Sequence, residues 1–186
     1  NWRFQQSTVR ETKHFGGVER ILWFEEMANP PQPGVYVRGE DTWGEPGIAV
    51  SQMNHLPCAL SLGVPFDTNV SIVLPYDESN VEAFWAYAKS GQLAEEVRKF
   101  NKKLSVDVGY IEKVPFDLEY WQEVAEEEYP DGLPDPYSDD PTQWIFHGHP
   151  KPSERPLQVA VARLLGYRWP AERDDDMDLS DEARKW

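Results

Sequence analysis

What this sequence lacks bounds what it is able to be. It holds a single cysteine, Cys58, so no internal disulfide staples the chain, and a reducing cytoplasm suits it. It has no apolar run of about 18 residues, so no membrane-spanning helix is expected and no membrane partner is assigned. No signal peptide opens it, and the first residue is Asn1 rather than methionine, which suggests a piece of a longer protein. No glycine-rich cofactor loop and no internal repeat occur. Positive charge is scarce: 18 Lys+Arg stand against 33 Asp+Glu, a net −15. A chain so acidic is not a general binder of polyanions, and any contact with phosphate must be local.

What is present is enough apolar material for a core, 40% hydrophobic and 13% aromatic residues in a chain of 186. The clearest stretch runs from Pro65 to Phe116. Val70 to Leu74 is β-branched and extended, and Pro75 ends it. Ser79 followed by Glu82 reads as a capping box, and Val81, Phe84, Trp85 and Ala88 recur at helical spacing. Ser90-Gly91 breaks that helix. A second one carries Leu93, Val97 and Phe100 and ends in a basic turn, Arg98 to Lys103. Leu104 to Val108 alternates as a return strand, and Val114-Pro115-Phe116 closes the unit. Residues 1–117 carry 11 Lys+Arg against 16 Asp+Glu, net −5, and the last 69 residues carry 7 against 17, net −10. The one concentration of cations therefore lies in the less acidic part.

Around this unit, Val18 to Met27 reads as a short amphipathic segment, and Val35-Tyr36-Val37 and Ile48-Ala49-Val50 as short strands. Ser51-Gln52-Met53-Asn54-His55 is a polar cluster, either a capped loop or a set of amides suited to base edges. Cys58 beside His55 suggests a nucleophile, though a buried thiol explains it as well. Asn29-Pro30-Pro31 resembles the start of the Asn-Pro-Pro-aromatic motif by which adenine and amino-group methyltransferases hold a flipped base. Gln32 stands where the aromatic belongs, and a proline-rich turn is the plainer reading. Leu118 to Ala125 is a short helix, and 131–156 is rich in Pro, Asp and Gly, so an irregular strap anchored by Tyr137, Trp144, Ile145 and Phe146 is expected. His147-Gly148-His149 is a weak metal signal without cysteine or carboxylate partners. Leu157 to Leu165 is a helix capped by Gly166, with Val161, Leu164 and Leu165 on one side. Asp174-Asp175-Asp176 and the run to Trp186 read as an acidic linker and a further helix start.

Residues 35 to 117 resemble the target-recognition domain of restriction-modification proteins. The resemblance lies in Gly47-Ile48-Ala49-Val50-Ser51-Gln52-Met53, Pro65-Phe66-Asp67-Thr68-Asn69, Phe84-Trp85-Ala86, Lys103-Leu104-Ser105-Val106 and Lys113-Val114-Pro115-Phe116-Asp117. The tail, through Trp121, Gly132-Leu133-Pro134, Pro136 to Trp144 and Leu165-Gly166-Tyr167-Arg168-Trp169-Pro170, is similar to the C-terminal region of large type IIG-like adenine-specific DNA methyltransferases of restriction-modification and phage-defence systems. The family's glycine-rich S-adenosylmethionine loop and its Asn-Pro-Pro-Tyr are not in this chain. The resemblance thus implies a sequence-specific DNA-recognition module whose catalytic methyltransferase domain, with its S-adenosylmethionine, lies elsewhere in the parent. The implied fold is α+β, a small curved mixed or antiparallel sheet with a helix pair. Residues 1–117 would form the DNA-binding domain, and 118–186 an acidic, partly helical C-terminal strap packed on it through Trp121, Tyr137, Trp144 and Leu164.

A base-flipping enzyme needs a separate surface to choose its site, built from phosphate-anchoring cations and side chains aimed at base edges. Arg98, Lys99, Lys102 and Lys103 are the candidates for the backbone of double-stranded DNA; Arg38, Gln52, Asn54 and Asn69 are those for base reading. A solvated helix end, where cations suit the dipole, explains the basic turn as well. Two other function classes compete. One is an acidic module that docks another subunit or mimics DNA. The other is a carbohydrate-active domain suggested by eight tryptophans, for which no pair of carboxylates is placed. The chain by itself is expected neither to bind S-adenosylmethionine nor to methylate DNA. Titration calorimetry checks this, and a micromolar dissociation constant for the cofactor overturns it.

Overall fold

The computed structural model describes residues 2–25, 33, 36–134, 148–151, 153–177, 179, 181 and 183–185. Its most buried strand is the one whose sequence is apolar without alternation. In β3, Gly47–Ser51, all five residues are buried, as a strand covered on both faces requires. It is the centre of a three-stranded antiparallel sheet, flanked by β4, Cys58–Ser61, and β5, Val70–Val73. Val50 pairs with Cys58 on one side and with Ser71 on the other. The outer edge of β4 is not left open: Leu60 N–H donates to His14 O (2.7 Å) and Lys13 N–H to Cys58 O (3.2 Å).

A second, two-stranded antiparallel sheet joins β1, Trp2–Gln5, to β2, Arg20–Trp23, in the register Trp2↔Trp23. The sequence reading of Val18 to Met27 as an amphipathic segment misses this pair. Gln6, fully buried after β1, donates from Nε2 to Ser7 O (3.1 Å) and Gly16 O (2.9 Å). At Gly17, φ is +80° and a Cβ would lie 2.5 Å from Gln6 Nε2, so only glycine passes there.

The expected helix pair forms as α1, Val81–Lys89, and α2, Gln92–Phe100. The start signal differs from the expected capping box. Asp77 accepts from Ser79 N–H and opens a 3-10 turn, Glu78–Asn80, that leads into α1. Seven of the nine α1 residues are buried, among them Trp85 and Tyr87 at 1% exposure. Gly91, at φ +87°, turns the chain from α1 into α2. The expected return strand does not form. Ser105 makes only an isolated bridge to Met53, and 108–111 coil into a short helix, α3, Val108–Ile111. Tyr36 and Val37 are likewise not in a strand, and Val35 lies outside the described residues.

Helix α4, Leu118–Glu128, begins where Asp117 accepts from Tyr120 N–H. It packs on α1, with the Tyr87 and Trp121 rings 5.4 Å apart and Phe116 5.7 Å from Phe84. Trp121 and Ala125 join the same buried cluster as Ile48, Trp85 and Val97, and so does Trp169. Helix α5, Pro156–Leu164, meets the hairpin through Trp2, whose Nε1–H donates to Leu165 O (3.2 Å) and whose ring stands edge-on to Tyr167 at 6.3 Å. The buried side of α5 is Val159 and Ala162. Leu164, expected to anchor the strap, is instead 86% exposed. Tyr137, Trp144, Ile145 and Phe146 lie outside the described residues. The chain is thus α+β, with two small antiparallel sheets, and among the described residues no helix is long and apolar enough to cross a membrane.

The two side chains expected to anchor the tail now separate experimentally. Trp121→Ala should cost about 3–5 kcal/mol through the cavity it leaves, whereas Leu164→Ala should change stability by less than about 0.5 kcal/mol. Urea midpoints of the two variants check this, and equal losses would contradict the packing described.

Candidate nucleic-acid interface

The polar cluster after β3 and the basic turn after α2 are far apart in sequence, and two backbone contacts bring them together. Val106 N–H donates to Gln52 O (2.8 Å) and Ser105 bridges Met53, while Gln52 N–H donates to Asn69 O (2.9 Å) and so ties the cluster to the start of β5. The cluster itself is sharply folded. Asn54 and Leu56 both take left-handed φ, +55° and +53°, and Leu56 N–H closes the turn onto Met53 O (3.0 Å). Asparagine tolerates that conformation better than most residues; leucine does not, and its complete burial is what holds it there.

Arg98 is the fastener. Its Nη2 donates to the carbonyls of Asn54 and Leu104, and its Nη1 to those of Asn101 and Lys103. The planar fork of a guanidinium suits this work and an ammonium does not. Asn101 completes the turn from inside: buried, it caps α2 through its N–H to Val97 O (2.9 Å) and accepts Lys103 N–H at Oδ1 (2.9 Å). Arg98 therefore shapes the turn rather than reaching outward. Lys99 pairs with Glu96 one turn back, an exposed pair of small energy. Lys102 and Lys103 are exposed and have no ion-pair partner among the described residues.

Of the base-reading candidates, Gln52 is half-buried and donates from Nε2 to Ser71 Oγ (3.2 Å), while Asn54 and Asn69 are exposed. Arg38 is carried on a different segment, with its guanidinium 5.9 Å from the exposed ring of Tyr36. Asn69 also borders an open groove of about 1260 Å³ between the β1–β2 hairpin and α5, which Trp2, Arg10, Arg20, Arg155 and Gln158 help to line. Sequence reasoning did not assemble this groove, because its arginines come from remote segments and no local run marks them. Arg20 is partly committed: its Nη1 lies 3.8 Å from Asp67 Oδ2, which also accepts from Ser7 Oγ (2.6 Å).

Of the other motifs, the structure places Cys58 and His55. Cys58 is buried and donates from Sγ to Leu56 O (3.1 Å), and burial pushes its thiol up to about 12, so at neutral pH it is not a nucleophile. His55 is exposed. Asn29 to Gln32 and His147 lie outside the described residues, among which no group of three or more His, Cys, Asp or Glu is placed to hold a metal. Comparison with protein-family models, with curated proteins and with solved structures finds no match to this chain.

If Arg98 fastens the turn to the polar cluster, Arg98→Lys should loosen both although charge is kept. Hydrogen exchange at the Lys103 and Val106 amides should quicken by about tenfold, the equivalent of one lost charged hydrogen bond. Unchanged exchange would assign the fastening to the backbone bridge alone.

Proposed function

We propose that this chain is the sequence-specific DNA-recognition module of an adenine-N6 DNA methyltransferase of a restriction-modification or phage-defence system, acting in the cytoplasm beside the catalytic domain of its parent. The S-adenosylmethionine and the chemistry belong to that domain. The observation that carries the reading is the fastening of the basic turn to the amide cluster, through Arg98 to Asn54 O and Val106 to Gln52 O. Duplex recognition combines two kinds of group, cations on phosphates and amides on base edges, and here they share one end of one sheet. Lys102 and Lys103 take the phosphates; Asn54, Asn69 and the free oxygen of Gln52 face the bases.

A second reading has one observation of its own. The outer side of α4 carries Glu119, Glu123, Glu126 and Glu127 beside the exposed Leu118 and Tyr120, a mixture suited to docking another subunit. Retention on heparin that falls with salt favours DNA, because a polyanion is held by phosphate-binding cations and repelled by an acidic docking face.

The test separates anchoring from reading, in the full-length parent. Lys102→Ala with Lys103→Ala should weaken binding to all duplexes alike and reduce the salt slope by about one unit per lost phosphate contact. Gln52→Ala should cost roughly 1–3 kcal/mol on the cognate site and little on random DNA. Titrations at several salt concentrations read both. A silent lysine pair at low salt would make the turn a solvated helix end, and a Gln52 change that acts equally on all DNA would remove that residue from the reading surface.

A further inference from the structure

The turn that carries the free lysines also carries apolar side chains in the wrong place for stability. Phe100 is 58% exposed and Leu104 63%, and Val108, one step on, is exposed as well. Single exposed apolar residues are ordinary, but these bracket Lys102 and Lys103 within a short stretch. Nor is this a loose loop. The Arg98 guanidinium binds the carbonyls of Asn101, Lys103 and Leu104, the buried Asn101 side chain holds Lys103 N–H, and Val106 N–H is fixed to Gln52 O. The backbone is braced from within while its large apolar groups are held out in solvent.

We propose that the turn from Phe100 to Leu104 is a preformed wedge that enters a duplex between base pairs, with Phe100 and Leu104 as its apolar edge and Lys102 and Lys103 on the flanking phosphates. The inference rests on the DNA reading above and goes beyond it, since that reading asks only for phosphate contact at the turn. A wedge must be stiff, because unstacking a base step is costly and a flexible loop would add its own ordering entropy. Bracing by Arg98 and Asn101 supplies that stiffness, which makes both positioning residues. Charge selects the occupant. In a chain of net −15, Lys102 and Lys103 stand free of ion pairs at this turn, so a polyanion approaches here. An anionic lipid surface would accept the same lysines and phenylalanine. The neighbouring Asn54 and Asn69 favour a duplex, because amides find partners on base edges and none among acyl chains.

The experiment compares an intact mixed-sequence duplex with the same duplex carrying one abasic gap, where unstacking is already done. The 186-residue chain should bind the gapped duplex about tenfold or more tightly, and 2-aminopurine beside the contact should brighten. Phe100→Ala with Leu104→Ala should abolish the preference and leave the salt slope unchanged, since apolar contacts release no counterions. Phe100→Trp, made alone, should keep it. Lys102→Ala with Lys103→Ala should lower the slope and keep the preference. Thermal melting of the Phe100/Leu104 variant should match the parent chain, as both side chains are exposed. Binding with no preference for the gap, or a preference that survives the Phe100/Leu104 change, overturns the wedge and leaves the DNA reading standing. No binding to either duplex at low salt overturns both. Binding to phosphatidylglycerol vesicles that is lost with Phe100 and Leu104, together with indifference to the gap, gives the turn to a lipid surface instead.

Discussion

Burial of α1 is the constraint on which the rest of the molecule depends. A helix of nine residues with seven buried has almost no surface to give to water, so it must be enclosed by the sheet and by α4. That requirement explains why the Leu118–Glu128 helix, acidic over most of its length, joins the main core: Trp121 and Ala125 close the side of α1 that the sheet leaves open. It also explains the one polar tie at their far end. Trp85 cannot be buried with an orphaned indole N–H, and Tyr129 OH accepts it (3.0 Å) while also accepting Lys89 Nζ (2.8 Å). Lys89 in turn pairs with Glu128 (2.9 Å), and these contacts hold the lysine above its usual range and the glutamate below its own. Both groups are partly exposed, so the tie fixes geometry more than it adds stability.

The same enclosure positions the candidate interface. Val97 and Val106 are buried on either side of the basic turn, so the chain leaves the core and re-enters it within a few residues. A turn anchored at both ends has few conformations left, and Arg98 removes most of the remainder by taking up the carbonyls of Asn101, Lys103 and Leu104 in the turn that follows α2. Helix termination and site construction are thus one event: the cation that suits the helix C-terminus also fastens the neighbouring amide cluster through Asn54.

What could be read from the sequence follows from how local each signal is. β3 and β5 announce themselves by dense β-branched runs, and α1, α2 and α4 by helical spacing bounded with Gly91 and Asp117, so their existence needed no tertiary information. The β1–β2 pair was not legible because β1 alternates over only four residues, Trp2 to Gln5, and β2 runs Ile21-Leu22-Trp23 without alternation, while the pair is held by Trp2 packing on Trp23 and Tyr167. Leu104 to Val108 failed for the opposite reason. The alternation is real, but only Val106 of the segment is buried, and an alternating pattern with no sheet edge beside it stays irregular. At the interface the residue types were legible and their roles were not. Arg98 looks in sequence like one more cation of a basic run. Only its contacts, with three carbonyls of the turn that follows and with the remote carbonyl of Asn54, distinguish a brace from an anchor.

Separating brace from anchor changes the electrostatic weight that the proposed DNA contact is able to carry. Four clustered cations would double the counterions released by two, but Arg98 is spent on carbonyls and Lys99 on Glu96. Two free lysines imply a salt slope of only about −1.8, far shallower than that of proteins making six to ten phosphate contacts. Acid elsewhere on the chain matters little at this range, since salt screens charge interactions beyond about 8–10 Å at physiological strength. On the DNA reading proposed above, charge therefore brings a duplex to the turn without holding it there. On the proposed reading, holding must come from contacts that salt does not weaken, the amides of the 52–54 cluster and the exposed apolar groups beside the lysines. A weak charge term makes such a module choosy, because little of its affinity is shared by every sequence.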